Sequence, residues 1–183
     1  MIQEAVTGEA EFQLMLEPGR SLVASACILL TSVLGTKEGQ EGRDRNYAVV
    51  DAAMTELLRP ALYTAEHLVI PVKEREKGEE KMEYDIVGPV CESTDKLASN
   101  IKLCELSKGF VTCCYIYLIY GQKPRNLISG ELLAIMDAGA YVSSMASNYN
   151  MRPRVWEVMV SGDQAEIIAK RESFENLLER FNV

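Results

Sequence analysis

Apolar residues in this chain fall into short runs divided by turn residues, the pattern of a sheet-rich domain rather than of long helices. Residues 12–16 form one such run, stopped by Glu17-Pro18-Gly19, and read as a buried strand entering a turn. Ser21 is placed to cap a short packed helix over 22–27. Residues 28–34 are β-branched and apolar and predict a strand that runs into the polar, glycine-containing loop 35–45. A second strand is expected over 47–50, ending at Asp51, and a short helix over 52–58, limited by Pro60.

Further along, 68–72 reads as a strand and 73–83 as a mixed-charge solvated loop. Residues 84–90 predict a strand whose internal Gly88-Pro89 marks an edge or a bulge. Residues 131–136 read as another buried strand, followed by a Gly/Ala-rich turn at 138–140. Residues 155–160 and 165–169, split by Ser161-Gly162-Asp163, predict a hairpin, and 174–181 a closing helix. The expected fold is mainly β with short helices (α+β), a β-barrel or sandwich, with no internal repeat.

Composition supports one packed domain with at most a partial second: 183 residues, 48% hydrophobic and 25% charged. A net charge of −8 without a Lys/Arg run argues against a nucleic-acid partner. The longest apolar stretch, 110–120, is about half the ~20 residues of a membrane-spanning helix, so no membrane partner is expected. The N-terminus has neither the basic nor the apolar region of a secretory signal. Five cysteines without a CxxC spacing fit a reducing, cytoplasmic compartment better than a disulfide framework or a metal site. A plastid location would apply if the longer protein came from a plant-like source.

Several clusters can carry chemistry. In Glu17-Pro18-Gly19-Arg20 a carboxylate could hold a protonated ring nitrogen and an arginine fork could grip a phosphate or carboxylate, although alone this is a turn with a surface ion pair. Arg59 and Tyr63, four apart, suit a carboxylate ligand, or else are a helix-end arginine and a packed tyrosine. Cys91 beside Glu92 is either a proton-donating thiol next to an acid or a small hydrophobe next to a surface charge. His67 lacks partners at metal or triad spacing and reads as structural.

The order of the motifs is more specific than any one of them. Glu-Pro-Gly-Arg-Ser at 17–21, Val-Asp-Ala-Ala-Met-Thr-Glu-Leu-Leu-Arg-Pro-Ala-Leu-Tyr at 50–63, Val-Gly-Pro-Val-Cys-Glu-Ser at 87–93, Met-Asp-Ala-Gly-Ala-Tyr at 136–141 and Ser-Asn-Tyr-Asn-Met-Arg-Pro-Arg at 147–154 resemble the diaminopimelate decarboxylases. These belong to the alanine-racemase-like decarboxylases that depend on pyridoxal 5'-phosphate. The resemblance covers almost the whole chain but only the C-terminal part of a family member.

The resemblance implies that Glu17, Pro18, Gly19, Arg20 and Tyr141 bind cofactor, Glu17 pairing with the pyridine nitrogen and Tyr141 reaching the phosphate. It implies that Arg20, Arg59, Tyr63, Glu92 and Tyr141 bind the small amino-acid substrate, with Arg59 and Tyr63 on its distal carboxylate and Glu92 on its distal ammonium. Cys91 resembles the proton donor to the carbon that loses CO2. Since both an arginine and an acid serve the distal end, meso-diaminopimelate is favoured over ornithine or arginine, and L-lysine is the product.

The resemblance also implies a domain division: residues 1–30 as the last strand and helix of a (β/α)8 barrel, and 31–183 as the C-terminal β-barrel domain. About twenty residues, 107–128, are an atypical insertion, read as an added hairpin, an interface or a retained intron. None of the nine lysines has the context of the one that anchors the cofactor in the family. Family members assemble the site between two subunits of a homodimer, with the Cys91–Glu92 loop reaching the neighbour's barrel. The chain alone is therefore expected to be inactive. Two other readings are a non-catalytic partner docking on a full-length homologue and an ornithine or arginine decarboxylase relative.

Overall fold

A computed structural model describes residues 14–37, 39, 45–73, 83–102, 114–118 and 130–181. Its strands are β1 (Cys27–Lys37), β2 (Asn46–Val50), β3 (Val69–Pro71), β4 (Glu83–Val87), β5 (Lys96–Lys102), β6 (Cys114–Leu118), β7 (Leu132–Ile135), β8 (Glu157–Ser161) and β9 (Gln164–Ala169). Among the described residues three short α-helices accompany them: α1 (Arg20–Val23), α2 (Arg59–Tyr63) and α3 (Phe174–Leu178).

The organising element is β1. Cys27, Leu29, Thr31 and Val33 point inward in strict alternation, as the period of two requires. Its first half pairs antiparallel with β7 on one side and parallel with β6 on the other. Its second half pairs antiparallel with β2, after a register shift between Val33 and Gly35. The sheet then runs β5-β4-β2-β1-β6-β8-β9, with β7 bridging β1 and β3. One long strand shared this way curls the sheet around a core of Leu29, Val50, Leu57, Ile86, Leu97, Leu133, Ile135 and Val142. The expected β-rich fold with small helices is what forms.

Several local expectations change. Leu14, Met15 and Leu16 are exposed and form no strand; an apolar run becomes a strand only where another strand supplies hydrogen bonds. Residues 12 and 13 of that run lie outside the described residues. The first helix begins at Arg20 behind Gly19 with no side-chain cap, so Ser21 does not cap it. Residues 52–58 make a turn instead of a helix, and α2 starts at Arg59 with Pro60 in its first turn, where a missing N–H costs nothing. Gly88-Pro89 falls beyond β4, which lies between β2 and β5 and is not an edge. β5 carries too few apolar residues to read as a strand from sequence.

Cys114–Leu118, inside the 107–128 segment, is inserted between β1 and β8; the rest of that segment lies outside the described residues. The predicted loops are only partly described, 40–44 and 74–82 falling outside. His67 is buried, with Nδ1 2.8 Å from the Met136 carbonyl, a structural role. Among the described residues no three potential metal ligands cluster, and no helix is long and apolar enough to cross a membrane.

Candidate functional site

The loop 137–141 is stapled to the chain segment around α1. Ala138 N–H donates to the Cys27 carbonyl at 2.9 Å and Gly139 N–H to the Ala24 carbonyl at 2.9 Å. Only glycine fits at 139: a Cβ there would lie 2.8 Å from the Val23 carbonyl carbon and 3.1 Å from the Ala24 oxygen. Two residues later Tyr141 adopts a left-handed backbone (φ 60°), uncommon for a non-glycine residue and a recurrent feature of functional sites. That conformation turns its ring over Gly19, where a Cβ would come 2.5 Å from the Tyr141 hydroxyl.

Two arginines converge on the same ring. The Arg20 guanidinium lies 5.7 Å from the Tyr141 centroid, and its Nη2 donates to the Ala140 carbonyl at 3.4 Å. Arg59, at the start of α2, lies 5.1 Å from the Tyr141 ring and 4.9 Å from the Tyr63 ring. One helical turn separates Arg59 from Tyr63, which puts both on one face, and Thr64 ends the helix in a left-handed C-cap.

Neither arginine forms an ion pair with a described residue. The Arg59 Nε is buried and, among the described residues, has no hydrogen-bond partner. A buried N–H without an acceptor costs free energy of about 1–3 kcal/mol, and two un-neutralised guanidinium groups sharing one ring repel each other. An anionic oxygen at this spot relieves both. Gly19, Arg20, Arg59, Tyr63 and Tyr141 thus come together; Glu17 and Pro18 are exposed in the irregular segment just before α1.

Cys91 and Glu92 lie on a different loop, the one that joins β4 to β5. Cys91 is exposed at the tip of the loop joining β4 to β5. The Glu92 carboxylate accepts from Thr94 N–H and from the Ser93 hydroxyl, both at 3.2 Å, and these bonds, the Thr94 amide first, hold its pKa below the usual glutamate value. Glu92 lines a shallow cavity with Met54, Leu58, Ser147 and Tyr149. Among the described residues no hydrogen bond or ion pair joins Cys91 or Glu92 to the arginine–tyrosine cluster.

Buried polar residues that no motif reading singled out hold these parts. The Asp51 carboxylate accepts from the Thr31 hydroxyl at 2.7 Å and Ser32 N–H at 2.8 Å. Arg152 donates to the Asp51 carbonyl at 2.7 Å and to the Thr55 hydroxyl at 3.1 Å, and lies 3.6 Å from Glu56. Burial pushes the Glu56 carboxyl above its ordinary pKa, against the pull of Arg152. Asp95 accepts from Met54 N–H at 2.7 Å and Val90 N–H at 2.8 Å. Their sequence signal was position: Asp51, Thr55 and Glu56 lie in the motif quoted at 50–63, Arg152 in the one at 147–154, and Asp95 closes the Glu-Ser-Thr-Asp turn.

Residues 21–117 match the family described as pyridoxal-dependent decarboxylase, C-terminal sheet domain. The chain belongs to that family. It is 38% identical over 169 residues to the diaminopimelate decarboxylase of Vibrio cholerae, covering 91% of this chain and 34% of that protein. The diaminopimelate decarboxylase of Helicobacter pylori complexed with L-lysine superposes with a TM-score of 0.68 at 36% identity, over 91% of this chain and 34% of that one. The lysine/ornithine decarboxylase of Vibrio vulnificus complexed with cadaverine is less similar, with a TM-score of 0.51 and 25% identity over 74% of this chain and 30% of that one. The chain therefore spans about a third of the length of the curated relatives it matches. As a member of the sheet-domain family, it has a fold that matches its relatives through the curled sheet built on β1.

Proposed function

We propose that this chain is the substrate-facing sheet domain of a diaminopimelate decarboxylase, acting with pyridoxal 5'-phosphate on meso-diaminopimelate to give L-lysine and CO2. The observation that carries the reading is the unpartnered, buried Arg59 Nε between the Tyr63 and Tyr141 rings. An arginine fork presents parallel donors that match a carboxylate, and a substrate whose far end is itself an amino acid supplies one. Ornithine has no distal carboxylate and would leave Arg59 unsatisfied.

The same residues fit the cofactor. Arg20 and the Tyr141 hydroxyl would meet its phosphate and the adjoining substrate, and Glu17 its ring nitrogen. When bound, the cofactor supplies an electron sink for the pair left behind as the C–CO2 bond breaks. Arg59 and Tyr63 hold the distal carboxylate, and Glu92, ionised at neutral pH, holds the distal ammonium. Cys91 gives its proton to the carbon that lost CO2 and regains one from solvent. In this reading the Cys91–Glu92 loop serves a neighbouring subunit's barrel whereas Glu17 belongs with its own, so that two subunits contribute to each site. In this proposal the segment before β1 belongs with the barrel and the sheet domain begins no later than Cys27, earlier than a division at residue 30, because β1 runs unbroken across that position, in a cytoplasmic homodimer.

The test is a chimera in which this chain replaces the matching C-terminal third of the Vibrio cholerae relative, assayed for lysine formed from meso-diaminopimelate and for amines formed from ornithine and lysine. Turnover confined to meso-diaminopimelate is expected, with Arg59→Lys raising KM by roughly 100-fold as the bidentate grip is lost. Preferential release of CO2 from ornithine overturns the substrate assignment. The 183-residue chain alone is expected to give no lysine.

A further inference from the structure

The loop that carries Cys91 and Glu92 is closed on itself around one buried side chain. Asp95 N–H donates to the Glu92 carbonyl at 3.1 Å, Gly88 N–H donates to the Asp95 carbonyl at 3.0 Å, and Val90 N–H donates to the Asp95 carboxylate at 2.8 Å. The other carboxylate oxygen accepts from Met54 N–H at 2.7 Å. Asp95 is only 4% exposed, and the space beside it is so tight that a Cβ on Gly88 would come 2.6 Å from its Cγ. Met54 opens the turn that runs to Leu58 and so to Arg59, the first residue of α2. The same turn is gripped from its other side by Arg152 on Thr55, and Ser147 N–H donates to the Thr55 carbonyl at 3.0 Å.

We propose that Asp95 is a positioning residue: through its two carboxylate oxygens it fixes the Cys91–Glu92 loop against the Met54–Leu58 turn, and so presents the proton donor and distal acid in one fixed place to the site they complete. The functional meaning of this placement rests on the decarboxylase reading above, whereas the pin itself does not. A single carboxylate accepting from two backbone amides far apart in sequence is a charge-assisted clamp, worth more than either bond between neutral groups. Asparagine cannot replace it, because one end of the amide would present N–H to an N–H. Burial raises the Asp95 pKa, with the two amide bonds pulling it back.

The test uses the full chain without substrate. Amide proton shifts of Val90 and Met54 are followed by NMR while pH is lowered through the carboxylate range. Both amides are expected to titrate with one shared midpoint, since one carboxylate serves both; independent midpoints, or no titration at either, overturn the clamp. In Asp95→Asn both titrations vanish and hydrogen exchange at the two amides rises by about tenfold or more. Asp85→Asn, which removes another buried carboxylate, leaves the Val90 and Met54 amides unchanged, so a general loss of stability is told apart from a lost pin. If Asp95→Asn fails to fold, the wild-type titration still decides. In the chimera, Asp95→Asn is expected to lower kcat/KM for meso-diaminopimelate, and unchanged turnover overturns the positioning role. A chimera inactive on meso-diaminopimelate with the shared titration intact would sink the substrate reading alone.

Discussion

Replacing Gly139 with alanine tests whether the 137–141 loop is held as tightly as the structure requires. The added methyl would run into the Val23 carbonyl oxygen and sit 2.8 Å from the carbon that bears it and 3.1 Å from the Ala24 oxygen. Both are backbone atoms, so no side chain can rotate out of the way. Overpacking of this kind costs about 1–3 kcal/mol. Relief requires the loop to lift off, which lengthens the bonds from Ala138 to Cys27 and from Gly139 to Ala24, each contributing roughly 1 kcal/mol. A total of about 3–5 kcal/mol lowers the melting temperature by roughly 6–20 °C for a chain of this size.

The same displacement carries the Tyr141 ring away from Gly19, Arg20 and Arg59. The assay is thermal unfolding by circular dichroism, run beside Gly35→Ala, where the new methyl meets nothing within 4 Å. Gly35→Ala is expected to melt within a few degrees of wild type. If Gly139→Ala also melts there, the close approach of the loop to α1 is wrong, and the stapling argument for Tyr141 falls with it.

Acid stability should depend on Asp85. Burial works against its charge, but bonds from Asn100 N–H, Lys96 and Arg45 prevail and hold its pKa below 3.8. A lowered folded-state pKa adds stability that is present above the unfolded value and is lost as pH falls through the folded one. Urea unfolding between about pH 5 and pH 2 should therefore show a smaller loss of stability for Asp85→Asn than for wild type; parallel curves would contradict it. Glu56 has the opposite sign: its raised pKa makes its charge a cost that lessens as pH falls, so Glu56→Gln should remove a gain in stability on mild acidification. At the last helix, Ser173 and Asn176 form a reciprocal capping box. Ser173→Ala should cost about 1 kcal/mol, seen as faster amide exchange over α3 with little change in the core, and uniform exchange changes would argue against a local cap.

Much of the fold was legible because its signals are local. β1 and β2 alternate buried and less buried positions, β7 follows from a continuous apolar run, and the β8–β9 hairpin from its Ser161-Gly162-Asp163 turn. β5 was not legible: Leu97 is fully buried, but its polar and charged neighbours hide the pattern. Residues 14–16 fail in the opposite direction, apolar in sequence but without a strand beside them. The helix expected over 52–58 gives way to a turn whose backbone groups are held from outside, Met54 N–H donating to Asp95 and the Thr55 carbonyl accepting from Ser147 N–H.

At the candidate site, the order of motifs in the chain determined family membership and named the residues, since spacing and side-chain chemistry are properties of the sequence alone. The three-dimensional fold decided which of them meet: Arg20, Arg59, Tyr63 and Tyr141 gather, whereas Cys91 and Glu92 stay on a separate loop. It also decided that Arg59 Nε has no partner among the described residues and that the Asp95 carboxylate accepts from two backbone amides. Desolvation and hydrogen-bond satisfaction depend on neighbours brought in by non-local strand pairing, and no local pattern in the sequence encodes them.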